Sequence, residues 1–122
     1  MKKIKGKIGF CDNKTLGIYG SNGKPLQGGH YVYIREVNGK KCNVNVITSL
    51  EDKKCQYDLH KIEKVKKGFL YPIPKKDCNL PRWSAINLSG NIKEINCSKI
   101  KRIGSVKMKT RHKFFVGKFS KK

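Results

Sequence analysis

Acidic side chains are scarce in this chain: eight Asp and Glu stand against 29 Lys and Arg in 122 residues, a formal net charge of +21. The shortage deepens along the chain, and from Lys99 to Lys122 there are ten basic residues and no acidic one. Such a field attracts polyanions, nucleic acid first among them. It disfavours an inhibitor that mimics nucleic acid, since mimics of that kind are acidic. No apolar run approaches the length that spans a bilayer, and no signal peptide or strongly amphipathic helix presents itself. The five cysteines (positions 11, 42, 55, 78 and 97) are odd in number and never form C-x-x-C. That argues against a zinc ribbon and a disulfide framework. All five are expected to be reduced, with Cys42 packed as a small apolar residue, and the compartment to be the cytoplasm. No internal repeat is visible, and residues 1–122 are expected to form one domain.

The most regular stretch runs from Gln27 to Ser49, where two runs with period-2 alternation flank Asn38-Gly39. This is the pattern of a hairpin with a two-residue type I′ turn. With Asn38-Gly39 as the turn, Val37 faces Lys40, Glu36 faces Lys41, Tyr33 faces Val44 and His30 faces Ile47. Tyr31, Tyr33, Val37, Cys42, Val44 and Val46 then share a core face. Val32 and Ile34 lie on the other, among Glu36, Lys41, Asn43 and Asn45. At the open end His30 and Ser49 become diagonal neighbours, within reach of each other at roughly 7–8 Å, with Thr48 alongside.

Elsewhere the pattern is mostly strand. Lys2–Cys11 alternates Ile4, Ile8 and Phe10 with lysines, and Leu16–Tyr19 can form a short strand before the Gly-rich loop that enters the hairpin. Asp58–Lys67 has helical spacing with Gly68 as its stop. The prolines of Phe69–Pro74 confine it to a sheet edge. Lys75–Ala85 reads as a loop, Ile92–Cys97 as a strand, and Ser98–Ile103 as a short helix. From Val106 to Val116 apolar residues alternate with Lys107, Lys109, Arg111 and Lys113. As a strand, this segment would line up four cations about 6.6 Å apart along a nucleic-acid backbone. His112 falls on its apolar side and is expected to be packed. Arg82 beside Trp83, the single tryptophan, is a candidate base-stacking platform. Many short strands separated by Gly, Pro and Asn predict a mainly β fold, a small antiparallel SH3-like barrel with one or two short helices.

Gln27-Gly28-Gly29, a strand, Asn38-Gly39 and a strand ending Ile47-Thr48-Ser49 resemble the MazF/PemK toxin superfamily, nearest its type III, RNA-neutralised (ToxN-like) members. The resemblance covers about a quarter of the chain. It implies a PemK-like, often oligomeric barrel that cleaves RNA without metal or cofactor, by attack of the ribose 2′-OH on the adjacent phosphate. It also implies that Thr48 and Ser49 hold the scissile phosphate, while the family's basic residue before the first hairpin strand falls at or near His30, without its usual Arg-Pro or Lys. Lys53 follows the Thr-Ser pair after an interval that the family does not show.

The chemistry itself needs a base, a cation against the developing phosphorane charge and donors to orient the phosphate. His30 can supply the first, Arg35, Lys41 or Lys53 the second, and Thr48 with Ser49 the third. Single-stranded RNA is the expected substrate, because its splayed bases can stack while its backbone follows a basic groove. The alternative is a non-catalytic nucleic-acid-binding SH3-like barrel. As a toxin, the chain would be neutralised by an antitoxin, and its basicity favours RNA over an acidic protein segment through counterion release. An RNA antitoxin should co-purify with the chain and raise its absorbance at 260 nm until ribonuclease or high salt removes it. A native complex holding a second polypeptide and no nucleic acid would overturn that choice.

Overall fold

The hairpin forms, and its register is set by aliphatic pairs rather than by the Asn-Gly dipeptide. In the computed structural model, which describes residues 4–51, 54, 56–89, 93–104 and 108–120, β2 spans Gly29–Asn38 and β3 Lys41–Ser49. Val32 lies opposite Val46, Ile34 opposite Val44 and Asn38 opposite Lys41, with a register shift between Ile34 and Glu36. The two loop residues are therefore Gly39 and Lys40, one position later than expected. Gly39 takes a φ of 62° at the first loop position, where glycine pays no steric penalty. Tyr33 faces Asn45 instead of Val44. A slip of one residue exchanges the faces of every side chain on one strand relative to the other.

That exchange places apolar side chains on both faces of the hairpin. Val32, Ile34, Cys42 and Val44 pack with Cys11, Leu16, Ile95 and Ile100 on one side. Tyr33 and Ile47 pack with Ile8, Ile73, Ile86, Met108 and Val116 on the other. Val32 and Ile34, expected among polar neighbours, are thus core. Asn45, opposite Tyr33, is buried, with its amide donating to the Asn87 carbonyl (3.1 Å) and the Ser120 hydroxyl (2.9 Å).

Around the hairpin stand β1 (Ile8–Asp12), β4 (Leu70–Ile73), β5 (Ser84–Asn87) and β6 (Lys93–Asn96). All ladders are antiparallel, and the order is β1-β2-β3-β5-β4. The second edge of β3 is shared, with β6 along Lys41–Val44 and β5 along Ile47–Ser49. β4 is an edge strand, as its Pro72 requires. The fold is mainly β, as expected, and since β1 and β4 do not pair among the described residues its sheet is open.

Helices are more numerous than expected: α1 (Asn13–Leu16), α2 (Leu59–Lys66), α3 (Lys75–Cys78) and α4 (Thr110–Phe119). α1, capped by Asp12, which accepts from the Thr15 amide at 2.7 Å, ends at Leu16, and of the strand expected at Leu16–Tyr19 only an isolated bridge from Tyr19 to Pro25 forms. α2 falls where its spacing placed it, capped by Asp58. α3 and β5 occupy a segment expected to be loop, and the helix expected at Ser98–Ile103 is a single 3₁₀ turn, Cys97–Lys99. α4 overturns the expected C-terminal strand. Its His112 and Val116, four residues apart, share the buried face, whereas Phe114 is 68% exposed. The cations at 109, 111 and 113 therefore do not form one file.

Cys42 and Cys97 are joined by a disulfide, with Cα atoms 5.6 Å apart, against the expectation that every cysteine is reduced. Cys42 is nonetheless buried, as expected, and Cys11 and Cys78 are buried free thiols. The link removes the ground for reading the compartment from reduced cysteines. No helix among the described residues is long and apolar enough to cross a membrane. By loop-closure entropy, Cys97→Ser should cost about 4 kcal/mol of stability for a separation of 55 residues. Urea unfolding checks this: the deficit should disappear when wild type and variant are compared in reductant.

Candidate active site

His30 enters β2 opposite Cys11, behind two glycines that the backbone needs. Gly28 has a φ of 84°, and a side chain on Gly29 would run into the Cys11 carbonyl and the Phe10 ring. The imidazole is half-buried and held by Asn13, whose side-chain oxygen lies 2.7 Å from Nδ1. Asn13 donates its amide to the Gln27 carbonyl at 3.2 Å, so its oxygen faces the histidine as an acceptor. In the neutral ring Nδ1 therefore carries the proton and Nε2 keeps its lone pair. Burial holds the His30 pKa below its ordinary value, and the Lys61 charge lowers it further. Lys61 comes from α2, and its ammonium donates to the Ser49 carbonyl at 2.7 Å. A neutral imidazole and an ammonium thus stand together at the open end of the hairpin.

The register separates the two hydroxyls. Alternation from Val32 and Val44, which share a cluster, puts His30 and Thr48 on one face of the sheet and Tyr31 and Ser49 on the other. Continuing the register by two residues sets Thr48, not Ser49, opposite His30. Ser49 donates its hydroxyl to the Glu51 carbonyl at 2.6 Å and lies opposite Ser84. Those two serines, with Tyr31 and Arg82, surround a cleft of about 110 Å³ floored by Ile47 and Leu80. A second cleft of about 200 Å³, on which Asn79 and Arg102 open, shares Tyr31 and Leu80 with the first. Tyr31 is thereby a wall between two clefts, each carrying an arginine, and Phe10 braces it edge-on at 5.4 Å.

The other expected residues fall elsewhere. Lys41 is at the turn end of β3, eight residues from Ser49 or roughly 26 Å along the strand, with Glu94 at 4.0 Å. Arg35 is half-buried in the middle of β2, at the register shift. Lys53 and Lys107 lie outside the described residues. Trp83 packs partly buried against Leu50, Leu70 and Ala85, and its amide donates to Glu51 at 2.7 Å. Its neighbour Arg82 lines the first cleft. Lys109 and Arg111 reach Asp77 at 3.1 and 3.5 Å, and the Lys113 stem lies over Gly6.

Asp77 is buried and accepts from His112 Nε2 at 2.9 Å; this bond first, and the one from Lys109 next, hold its carboxyl at about 2. His112 Nδ1 meets the Tyr71 hydroxyl at 2.6 Å, which ties α3, α4 and β4 together. Among the described residues no group of three or more His, Cys, Asp and Glu is placed to hold a metal ion. Asn13, Tyr31, Lys61, Ser84 and Arg102 escaped the sequence reading. Only Lys61 left a signal, one residue before Ile62 on a capped helix. Comparison with protein-family models and with curated proteins finds no match.

Because the folded pKa of His30 is depressed, the native state binds fewer protons than the unfolded chain between that pKa and the unfolded value near 6.5. Its contribution to stability is therefore complete above pH 6.5 and is lost as the pH falls through this window. An NMR titration should place the His30 midpoint below 6.5, and Lys61→Gln should raise it.

Proposed function

We propose that this chain is an endoribonuclease that cleaves single-stranded RNA without a metal ion. The observation that carries the reading is His30: a half-buried imidazole, fixed by Asn13 with Nε2 as its basic nitrogen and kept neutral by burial and Lys61. Nε2 takes the proton of the ribose 2′-OH, and the 2′-oxygen attacks the adjacent phosphorus. The bond from phosphorus to the 5′-oxygen breaks, leaving a 2′,3′-cyclic phosphate and a 5′-hydroxyl. The Lys61 ammonium stands against the developing phosphorane charge and can return a proton to the leaving oxygen, while Thr48 donates to a phosphate oxygen. Tyr31, Arg82 and Arg102 line two clefts on the sheet face opposite His30, where a strand that passes round the open end of the hairpin can be held. The resemblance of Gln27–Ser49 to the MazF/PemK toxins supports this reading, and a neutralising antitoxin, RNA by preference, and a cytoplasmic site of action are part of the same proposal.

A non-catalytic nucleic-acid-binding role is favoured by one observation. The hydroxyl of Ser49 is engaged by Glu51 and lies on the face away from His30, so His30, Thr48 and Ser49 are not one cluster. Cleavage assays separate the two readings. His30→Ala and Thr48→Ala should each lower cleavage of single-stranded RNA about 10²-fold or more, and Ser49→Ala less than about tenfold. Wild-type rates in the first two variants would rule out the site, and products with 5′-phosphate would rule out the chemistry.

A further inference from the structure

α4 carries an aromatic surface that the cleavage site does not use. Tyr71 and Phe115 stack with ring centres 4.5 Å apart and planes 22° from parallel, and Phe119 extends this aromatic row with its centre 4.5 Å from that of Phe115 and its plane tilted by 42°. The outer rings face solvent: Phe115 is 37% exposed, Phe119 50% and Phe114 68%. Three exposed phenylalanines on ten residues of helix are costly to leave in water, and a patch of this kind marks a binding surface. The base of the column is rigid. Tyr71 is held through its hydroxyl by His112, which Asp77 holds in turn, so the stack is positioned before any partner arrives.

Charge selects the occupant. α4 contains Arg111, Lys113 and Lys118 and no acidic residue. The Lys118 ammonium lies 5.8 Å from the Phe114 ring centre and 5.4 Å from that of Phe119, so a cation stands at the lip of the column. A second copy docking here would set these cations against their own counterparts in a chain already at +21. A strand that carries phosphates and planar bases satisfies both features, with bases extending the aromatic column and a phosphate meeting Lys118.

We infer that the Phe114, Phe115, Phe119 and Lys118 face of α4 is a second binding surface for single-stranded nucleic acid, one that holds unpaired bases by stacking away from the cleavage site. The inference rests on the reading of the chain as an RNA-binding protein but not on its being a nuclease. The test is binding of a 2′-O-methyl RNA 12-mer, which cannot undergo 2′-OH attack, beside an abasic 12-mer of equal charge.

Phe114→Ala and Phe119→Ala should each weaken the base-bearing strand on the order of tenfold and leave the abasic one unchanged. Lys118→Gln should flatten the slope of log K against log salt by about 0.7 for both strands. A 2-aminopurine placed in the 12-mer should lose fluorescence on binding wild type and keep it with Phe119→Ala. The exposure of Phe114 lets its variant keep the fold, and an unchanged melting temperature confirms it. Equal affinity of wild type for the base-bearing and abasic strands would overturn the proposal. So would phenylalanine variants that bind both strands normally but lose self-association in sedimentation, or lose binding to anionic phospholipid vesicles.

Discussion

Pairing of Val32 with Val46 and Ile34 with Val44 across the hairpin is the constraint on which the other parts depend. It puts β-branched and aliphatic side chains on one face and Tyr33 with Ile47 on the other, so both faces must be covered. α1, β6 and the 3₁₀ turn cover the first, and β5, β4 and α4 the second. β3 pays for this with a divided edge, pairing with β6 near the turn and with β5 near Ser49. The same register decides which hydroxyl stands opposite His30. A slip of one residue would exchange Thr48 for Ser49 and leave the polar Asn45 beside the aliphatic cluster.

The few acids explain why so much positive charge reaches the surface. Seven of the eight are described, and most serve structure. Asp12 and Asp58 cap helices. Buried Glu51 accepts from the Trp83 amide and meets Lys75 at 3.5 Å. Buried Asp77 gathers His112, Lys109 and Arg111. Glu36, Glu63 and Glu94 make exposed pairs of the kind that contribute little to stability. Among the described residues no acid forms an ion pair with Lys113 or Lys118 of α4, or with Arg82 or Arg102 at the Tyr31 clefts. The proposal of a polyanionic partner rests on that unbalanced charge.

His30 shows how a weak local signal becomes a candidate site. The two glycines before it are demanded by backbone geometry, one by a left-handed φ and one by contact with Cys11 and Phe10. They bring the chain back against α1, where Asn13 fixes the ring, and α2 then delivers Lys61 from the next segment. Three elements remote in sequence thus set the tautomer, the burial and the charge environment of one imidazole.

The sequence by itself determined the features that local backbone chemistry and summed charge control. Alternation specified a hairpin between Gly29 and Ser49, Pro72 sent 70–73 to a sheet edge, and Asp58 with Gly68 bounded α2. The excess of lysine and arginine specified a strongly positive field. What only the tertiary structure decided are the choices that are nearly degenerate locally. Two hairpin registers differ by one residue and are separated by how both faces pack. Val106–Val116 reads as a strand by its alternation, but helix prevails over 110–119 because it brings His112 and Val116 to one buried side, where Asp77, 35 residues away, receives the imidazole. Lys61, Asn13 and Arg102 were illegible for the same reason: lysine, asparagine and arginine are ordinary surface residues until the fold places them beside a histidine or a tyrosine.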